Sequence, residues 1–313
     1  MKKLNLSLLV LVSAMWAGQF TATKIGLRQL GPLTIVSFPM VLCVVLVAFF
    51  LRLGAKGNGK RLSARPTLTP ATCSKFLLLG ILGSGIPNLA VCFGLRFSLA
   101  STASILLLSC PIFSTALAVI MLGERMTRFR WLSFGLAVCG VVLVTGVSRQ
   151  TLAGVTSPYF FGNLLIILGC CGMGFYNVYS KSLLARFTEP EVLFGGMLVS
   201  AIVILPIALT EEWKLMPRLV ELRFETITSI LYVGVLSYTA GMLIFFRVLR
   251  RIDVIVASFS IYLMSIFGVL IACITLHERL SLSVIVGGLL VAAGTVIVTL
   301  YDVPAGSAAK SES

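Results

Sequence analysis

The chain has 313 residues, of which 58% are hydrophobic and only 12% are charged, whereas a soluble domain has about 25% charged residues. The 25 Lys and Arg residues outnumber the 11 Asp and Glu residues and give a formal charge of +14. Because they flank apolar runs instead of clustering between aromatic side chains, this charge does not favour nucleic-acid binding. The composition excludes an ordinary soluble domain, which would expose large apolar patches, and indicates a protein that resides in a lipid bilayer.

Ten charge-free apolar runs follow one another along the chain, each near the roughly 20 residues that a helix needs to cross a bilayer. They are Leu4–Thr23, Leu33–Leu51, Phe76–Leu95, Leu99–Gly123, Trp131–Val147, Tyr159–Ser180, Val192–Thr210, Thr226–Phe246, Val254–Leu276 and Leu280–Tyr301. The runs are too long for barrel strands and do not alternate in polarity, so only helices satisfy their backbone groups in lipid. We expect an all-α polytopic membrane protein with ten transmembrane helices.

The connections and their charges predict how the chain is oriented. The first run resembles a signal peptide at its start but continues to Thr23, which favours a retained helix. Arg52–Lys75 is predicted to be an exposed loop, Glu211–Glu225 either a surface helix or a loop, and 304–313 a disordered tail. With the N-terminus and every second loop on one side, that side holds 17 of the 25 Lys and Arg residues. Both termini should therefore be cytoplasmic, in the inner (plasma) membrane.

The two halves of the chain are related by an internal repeat. At an offset of 154 residues, Arg96 meets Arg250, Gly140 meets Gly294, and Glu124-Arg125 meets Glu278-Arg279. Residues 1–150 and 151–303 would each hold five spans, an odd number, so the second half would enter the membrane from the opposite side. Such inverted five-helix repeats are common in secondary carriers that alternate the access of a midplane site, although duplication could also serve folding alone.

Several motifs resemble the EamA family of the drug/metabolite transporter (DMT) superfamily. In the first half these are Trp16-Ala-Gly-Gln-Phe, Lys24, Pro111-Ile-Phe, and Leu122-Gly-Glu-Arg-Met-Thr followed by Gly135 and Gly140; in the second half, Leu276-His-Glu-Arg-Leu-Ser followed by Gly287, Gly288 and Gly294. The resemblance covers about residues 5–147 and 160–300. It departs where Ser265 and His277 stand opposite Pro111 and Gly123. The resemblance implies a carrier, often an exporter of amino acids or other metabolites, with a cavity between spans 1, 3, 4, 6, 8 and 9.

The function expected is a secondary carrier that exports a small metabolite, an amino acid or a similar amphipathic compound, by alternating access. A flippase for a lipid-linked molecule is the alternative. An enzyme is not expected, because no intramembrane cluster of catalytic groups is present in the sequence. The eight cysteines form no CxxC motif and His277 is the only histidine, so no metal or cofactor is expected. The expected partners are the small-molecule substrate and the bilayer, with the chain a monomer or a homodimer.

The third span carries the clearest candidate for a binding site. In Gly83-Ser-Gly-Ile-Pro87-Asn88 the proline lacks a donor and the glycines loosen the turn, so Asn88 could face a watered cavity instead of a neighbouring helix. Pro87 and Pro111 are expected to kink the third and fourth spans. Other polar or aromatic candidates for substrate binding, which could equally serve interhelical contacts, are Trp16, Gln19, Tyr176, Asn177, Tyr238 and Tyr262.

Charged residues at the ends of spans are candidates for gates. Lys24, Glu124, Arg125, Glu278 and Arg279 could form ion pairs that pin helix ends, or ion pairs that break when access alternates. No acidic residue lies within any of the ten runs, which argues against a simple carboxylate proton relay. The glycines that follow the Glu-Arg pairs are expected to let helices pack closely.

Overall fold

The computed structural model describes residues 2–57, 69–122, 128–145, 158–213, 221–251 and 259–301, which are almost entirely helical. The α-helices are α1 (Lys2–Ala17), α2 (Gln19–Gly26), α3 (Pro32–Gly57), α4 (Pro70–Leu78), α5 (Ile86–Phe97), α6 (Ala100–Leu106), α7 (Cys110–Leu122), α8 (Arg128–Thr145), α9 (Pro158–Leu184), α10 (Glu189–Glu211), α11 (Phe224–Leu231), α12 (Met242–Leu249), α13 (Phe259–Leu276) and α14 (Leu282–Tyr301). Two π-helical segments, π1 (Leu79–Gly85) and π2 (Tyr232–Gly241), join α4 to α5 and α11 to α12, and a 3-10 turn (Leu107–Ser109) joins α6 to α7.

Within the described residues, six helical rods are long and apolar enough to cross a membrane. They are Ser7–Gly26, Pro32–Leu53, Pro70–Phe97, Pro158–Leu184, Glu189–Glu211 and Phe224–Leu249, and four shorter apolar helices are Ala100–Ser114, Trp131–Val144, Met264–Leu276 and Leu282–Gly294. The prediction of an all-helical, multi-pass membrane protein is confirmed. The count of ten spans and their inverted arrangement stay predictions.

The predicted Arg52–Lys75 loop is too long at both ends. Helix α3 continues to Gly57 and α4 already begins at Pro70, because Lys and Arg at a membrane interface can extend along a helix end without crossing lipid. The hydroxyl of Thr69 accepts the Thr72 N–H at 3.3 Å and caps α4. Positions 214–220 and 304–313, where a surface helix or loop and a tail were predicted, lie outside the described residues.

Both predicted kinks coincide with departures from α-helical geometry. Pro87 lies in the first turn of α5, directly after π1, and Pro111 lies at the start of α7, directly after the 3-10 turn. A proline cannot donate to the carbonyl one turn earlier, and π-helical turns inside helices often occur at functional sites. Both departures lie in mid-span, where the helices can turn side chains toward an interior space.

The packing of the rods requires glycine at some of the predicted positions but not at all of them. Helix α8 packs on α14, and a Cβ atom at Gly140 would lie 2.5 Å from the Gly287 carbonyl oxygen. Gly288 is also close to α6, where its Cβ would lie 3.0 Å from the side chain of Ile105. The prediction of close packing is wrong for Gly135, where a Cβ would meet nothing within 4 Å. That glycine faces open space instead of a neighbouring helix.

The carboxylate of Glu212 caps the N-terminus of α3. Glu212, at the end of α10, accepts the backbone N–H groups of Leu33 and Thr34 at 2.9 Å each, and the Thr34 hydroxyl at 2.6 Å. Negative charge is favourable there, because the first N–H groups of a helix lack intrahelical partners. This contact joins α10 to α3, which also pack along their length.

Candidate functional site

A central cavity lies where most of the rods meet. Its empty volume is about 680 Å³, including space open to solvent. The lining residues are Trp16, Gln19, Phe20, Gly83, Ser84, Asn88, Leu107, Cys110, Met173, Tyr176, Asn177, Met197, Tyr238, Met242, Ile261 and Met264. Six of the seven predicted binding residues are among them. The lining residues as a group come from the spans that the resemblance implied, with Met197 of α10 in addition. The seventh, Tyr262, lies on α13 beside two lining positions, and its side chain lies outside the described ones.

Asn88 both lines the cavity and bridges two helical rods. Its amide nitrogen donates to the Ser84 carbonyl at 2.8 Å, and its amide oxygen accepts the Tyr238 hydroxyl at 2.8 Å. The two interpretations offered by the sequence, cavity lining and interhelical bonding, therefore apply together. The bond joins the first half of the chain to π2 in the second half.

Two serines, one in π1 and one in α10, form hydrogen bonds around the backbone of π1. The hydroxyls of Ser84 and Ser200 are hydrogen-bonded to each other at 2.5 Å, and both lie within hydrogen-bond distance of the Gly80 carbonyl oxygen, at 3.2 and 2.8 Å. These bonds supply partners for backbone groups where the regular α-helical pattern is interrupted. Sequence reasoning missed Ser200, since a lone serine in an apolar run carries no signal of its partner.

Trp16 and a break in the first span form another wall. The Trp16 indole N–H donates to the Ser237 carbonyl at 3.0 Å, and its ring lies 5.1 Å from that of Phe245. The Tyr232 hydroxyl donates to the Met15 carbonyl at 2.9 Å and accepts the Gly18 N–H at 3.2 Å, between α1 and α2. Trp16 thus packs on the second half while its edge lines the cavity.

Three polar groups of the cavity wall are left free or weakly bonded. The Tyr176 side chain is 5% exposed, and its hydroxyl has no partner among the described residues. Among the described residues, the Gln19 amide forms no hydrogen bond, and the Asn177 amide nitrogen donates a single one, to the Cys110 thiol at 4.0 Å. Buried polar groups are usually paired, so the Tyr176 hydroxyl is an exception, while Gln19 and Asn177 are only half-buried.

An ion-pair cluster joins the ends of α2, α13 and α6. The Lys24 ammonium lies 3.5 Å from the Glu278 carboxylate and also donates to the Ser98 carbonyl. Glu278 accepts the N–H groups of Ala100 and Ser101 at 3.0 and 2.9 Å, and the Ser101 hydroxyl at 2.7 Å. The sequence predicted an ion pair for both residues, but not the bonds that Glu278 forms with the start of α6.

Of the other predicted gate residues, Arg279 is the one that lies in the described part of the chain, and it does not join this cluster. Arg279 is exposed and pairs with no carboxylate in the described part of the chain. Glu124 and Arg125 lie outside the described residues. The cluster lines a second cavity, which shares no residue with the central one and whose walls are Lys24, Leu27, Arg28, Leu95, Arg96, Leu99, Leu276 and Glu278. No group of three or more metal-ligating side chains was found in the portions that the structure describes.

The sequence profile of the EamA-like transporter family matches residues 3–146 and 160–300. This chain belongs to the EamA-like transporter family. The match covers both halves and confirms the resemblance drawn from the repeated Glu-Arg and glycine motifs. As a member of this family, which falls in the DMT superfamily, the chain is an integral membrane transporter.

Curated proteins similar to this EamA-like chain are named as transporters. An uncharacterized transporter of Archaeoglobus fulgidus is 26% identical, covering 93% of this chain and 96% of its own. A probable terminal-alkyne amino-acid exporter of Streptantibioticus cattleyicolor is 28% identical over 93% and 91% of the two chains. A probable amino-acid metabolite efflux pump of Escherichia coli is 25% identical over 93% of each. One crystal structure matches at a TM-score of 0.65 and 15% identity over 99% of both chains, which supports the fold.

Proposed function

We propose that this EamA-like protein is a secondary carrier that exports an amino acid or a similar amphipathic metabolite across the inner membrane by alternating access, with both termini cytoplasmic. The observation that carries the proposal is the central cavity, into which six residues chosen from the sequence converge and in which the Tyr176 hydroxyl has no partner. The names of similar proteins, an amino-acid exporter and amino-acid metabolite efflux pumps, support this direction and substrate class. None of them supports the flippase alternative.

The cavity wall supports two inverted five-helix repeats. At the offset of 154, Ser84 corresponds to Tyr238, Asn88 to Met242, Leu107 to Ile261, and Cys110 to Met264, and all eight line the cavity. In the first span the offset is 157, which aligns Lys24 with Lys181. Trp16, Gln19 and Phe20 then correspond to the lining residues Met173, Tyr176 and Asn177. Two repeats that contribute the same positions to one space are what an approximate two-fold axis through the cavity predicts.

The irregular segments and the packing agree with this relation. Shifting π1 by 154 residues places it at 233–239, inside π2. Spans that correspond under the repeat also pack on one another, α3 on α10 and α8 on α14. A carrier of this kind alternates by moving one repeat against the other around a fixed site.

We place the closed gate of this conformation at the Lys24–Glu278 cluster. The cluster links α2 of the first half to α13 of the second half and to the start of α6. On the proposed topology this end faces away from the cytoplasm. Opening there requires the ion pair and the helix-start bonds of Glu278 to break, and an equivalent closure to form at the opposite end.

Transport by the purified full-length chain in proteoliposomes tests the proposal. Accumulation of labelled amino acids by counterflow is expected for the wild type. Asn88→Leu should abolish counterflow while the protein stays folded and inserted, because its amide contacts both the substrate and Tyr238. Tyr238→Phe is the matched control, since it removes the same interhelical bond but leaves the amide in the cavity, and it should retain measurable transport.

Two results would overturn this assignment. Wild-type counterflow in the Asn88→Leu variant would remove Asn88 from the binding site. Absence of counterflow for a full set of amino acids and related metabolites, in vesicles that hold correctly folded protein, would contradict the carrier function itself.

A further inference from the structure

We infer that the ligand of the central cavity carries no net charge and has an apolar, polarizable body that lies against a wall of four methionines. This inference rests on the proposed carrier function and deepens it by naming the class of substrate. It is drawn from the charges, the sulfur atoms and the free hydrogen-bonding groups of the cavity wall.

The cavity offers no counterion to a charged ligand. None of its lining residues within the described portions is acidic or basic. The ionic groups of Lys24 and Glu278 line the other cavity and already bond to each other and to backbone groups. A net charge that enters an uncharged site loses its hydration without compensation, whereas an uncharged group or an internally compensated zwitterion loses far less. Net charge should therefore be selected against.

The methionines that line the cavity all lie in the second half of the chain. They are Met173, Met197, Met242 and Met264. The repeat-related positions that line the cavity in the first half hold Trp16, Asn88 and Cys110. Thioether side chains are flexible and polarizable, and they fit aromatic and irregular apolar groups well. The second half therefore offers thioether side chains to an apolar body of variable shape.

The free polar groups determine how the ligand is held. The Tyr176 hydroxyl is buried without a partner, and the Gln19 amide has none among the described residues. These two positions also correspond under the repeat. Asn88 and Tyr238, by contrast, are already hydrogen-bonded to each other and keep only part of their capacity for a ligand. A ligand group that both donates and accepts, such as an amide or an ammonium–carboxylate pair, would meet the unused capacity of Tyr176 and Gln19.

Four probes with one phenylpropyl body test this inference on the purified full-length protein. They are 3-phenylpropanamide (uncharged), phenylalanine (zwitterionic), 3-phenylpropylamine (cationic) and 3-phenylpropionate (anionic). Equilibrium binding, measured as the part displaced by excess unlabelled 3-phenylpropanamide, should be at least about tenfold tighter for the first two probes than for either charged probe. Equal affinities, tighter binding of a charged probe, or no binding of any of the four would overturn the inference.

Two variants test whether residues of the cavity wall bind the net-neutral probes. Tyr176→Phe should weaken both net-neutral probes by roughly three- to tenfold, since one hydrogen bond is lost. Met242→Ala should weaken all probes through the loss of apolar contact, without changing their order. Unchanged affinity in both variants would show that the ligand does not occupy this cavity.

The same probes separate this inference from the carrier function. Selective binding without counterflow of labelled phenylalanine would contradict the carrier and leave the ligand class in place. Counterflow that strongly favours the charged probes would contradict the ligand class and leave the carrier in place.

Discussion

Replacing Glu278 by Gln removes a negative charge from the junction of α2, α6 and α13 while almost preserving the shape of the side chain. The carboxylate accepts three hydrogen bonds from the start of α6 and pairs with Lys24, and its side chain is only 5% exposed. The amide oxygen of Gln can still accept from Ser101. Its amide nitrogen would face the Ala100 N–H, donor against donor.

The magnitude follows from these contacts. Hydrogen bonds to a charged acceptor contribute about 1.5–3 kcal/mol each, against about 0.5–1.5 kcal/mol for neutral ones. The loss of one such bond and the weakening of two others therefore dominate the effect of the substitution. The charge at a helix N-terminus adds about 0.3–1 kcal/mol. The Lys24 side chain is 26% exposed, and solvent screening limits the ion pair to at most about 1 kcal/mol. Part of this loss is recovered by water and relaxation, so we expect the closed gate to weaken by about 2–4 kcal/mol, which is about 30- to 1,000-fold in its equilibrium.

Cys110 reports on this equilibrium because it lines the central cavity and is 2% exposed. In a variant that keeps Cys110 as its only cysteine, a membrane-impermeant thiol reagent is added to sealed vesicles on the side where Lys24 lies. Glu278→Gln should raise the labelling rate from that side by at least about tenfold. Lys24→Met combined with Glu278→Gln should raise it little more than Glu278→Gln alone, because both act on one cluster.

Glu212→Gln is the matched control for this experiment. It makes the same chemical change at the start of α3, where Glu212 has no ion-pair partner among the residues described here. It should lower stability without a comparable rise in Cys110 labelling. Equal labelling rates in the parent and in Glu278→Gln would refute the assignment of this cluster as the closed gate.

Two predictions concern stability, measured as thermal unfolding in detergent. Gly140→Ala should lower the free energy of unfolding by about 1–3 kcal/mol, because the added methyl meets the Gly287 backbone at 2.5 Å. Gly135→Ala should be neutral or slightly stabilising. Equal effects of the two substitutions would contradict the packing of α8 on α14. His277 has a φ of 54°, in the left-handed region that glycine adopts freely and β-branched residues avoid. His277→Gly should therefore stabilise by about 0.5–1 kcal/mol and His277→Val should destabilise by at least about 1 kcal/mol, and the reverse order would refute that backbone argument.

The central site was largely predictable because few side chains within the apolar runs are polar. An amide such as Asn88, or Gln19 near the end of the first run, has few alternatives to facing a cavity or a neighbouring helix, so composition alone selected residues that the fold brings to one cavity. The repeat then linked Gln19 with Tyr176. The methionine wall could not be predicted in this way, since Met242 and Met264 do not differ from packing residues until the fold places them.

The irregular helices and the helix ends were predictable only in part. Pro87 and its glycines indicated a disturbed turn, but the hydroxyl that bonds to the Gly80 carbonyl of π1 comes from Ser200, 120 positions away. The third run, defined by the absence of charge, also began too late, because Lys75 lies within α4. A rule based on charge cannot tell an interface residue on a helix from a residue in a loop.

The bond between Asn88 and Tyr238 takes one partner from each half, at the centre of the space that a substrate would enter. Any swing of one half about the other must lengthen or redirect that bond. A molecule that offered its own donor to the Asn88 oxygen would compete with the tyrosine for it, and would so weaken one of the bonds between the two halves. Ligand binding in the cavity and movement of one half against the other would then both depend on this one hydrogen bond.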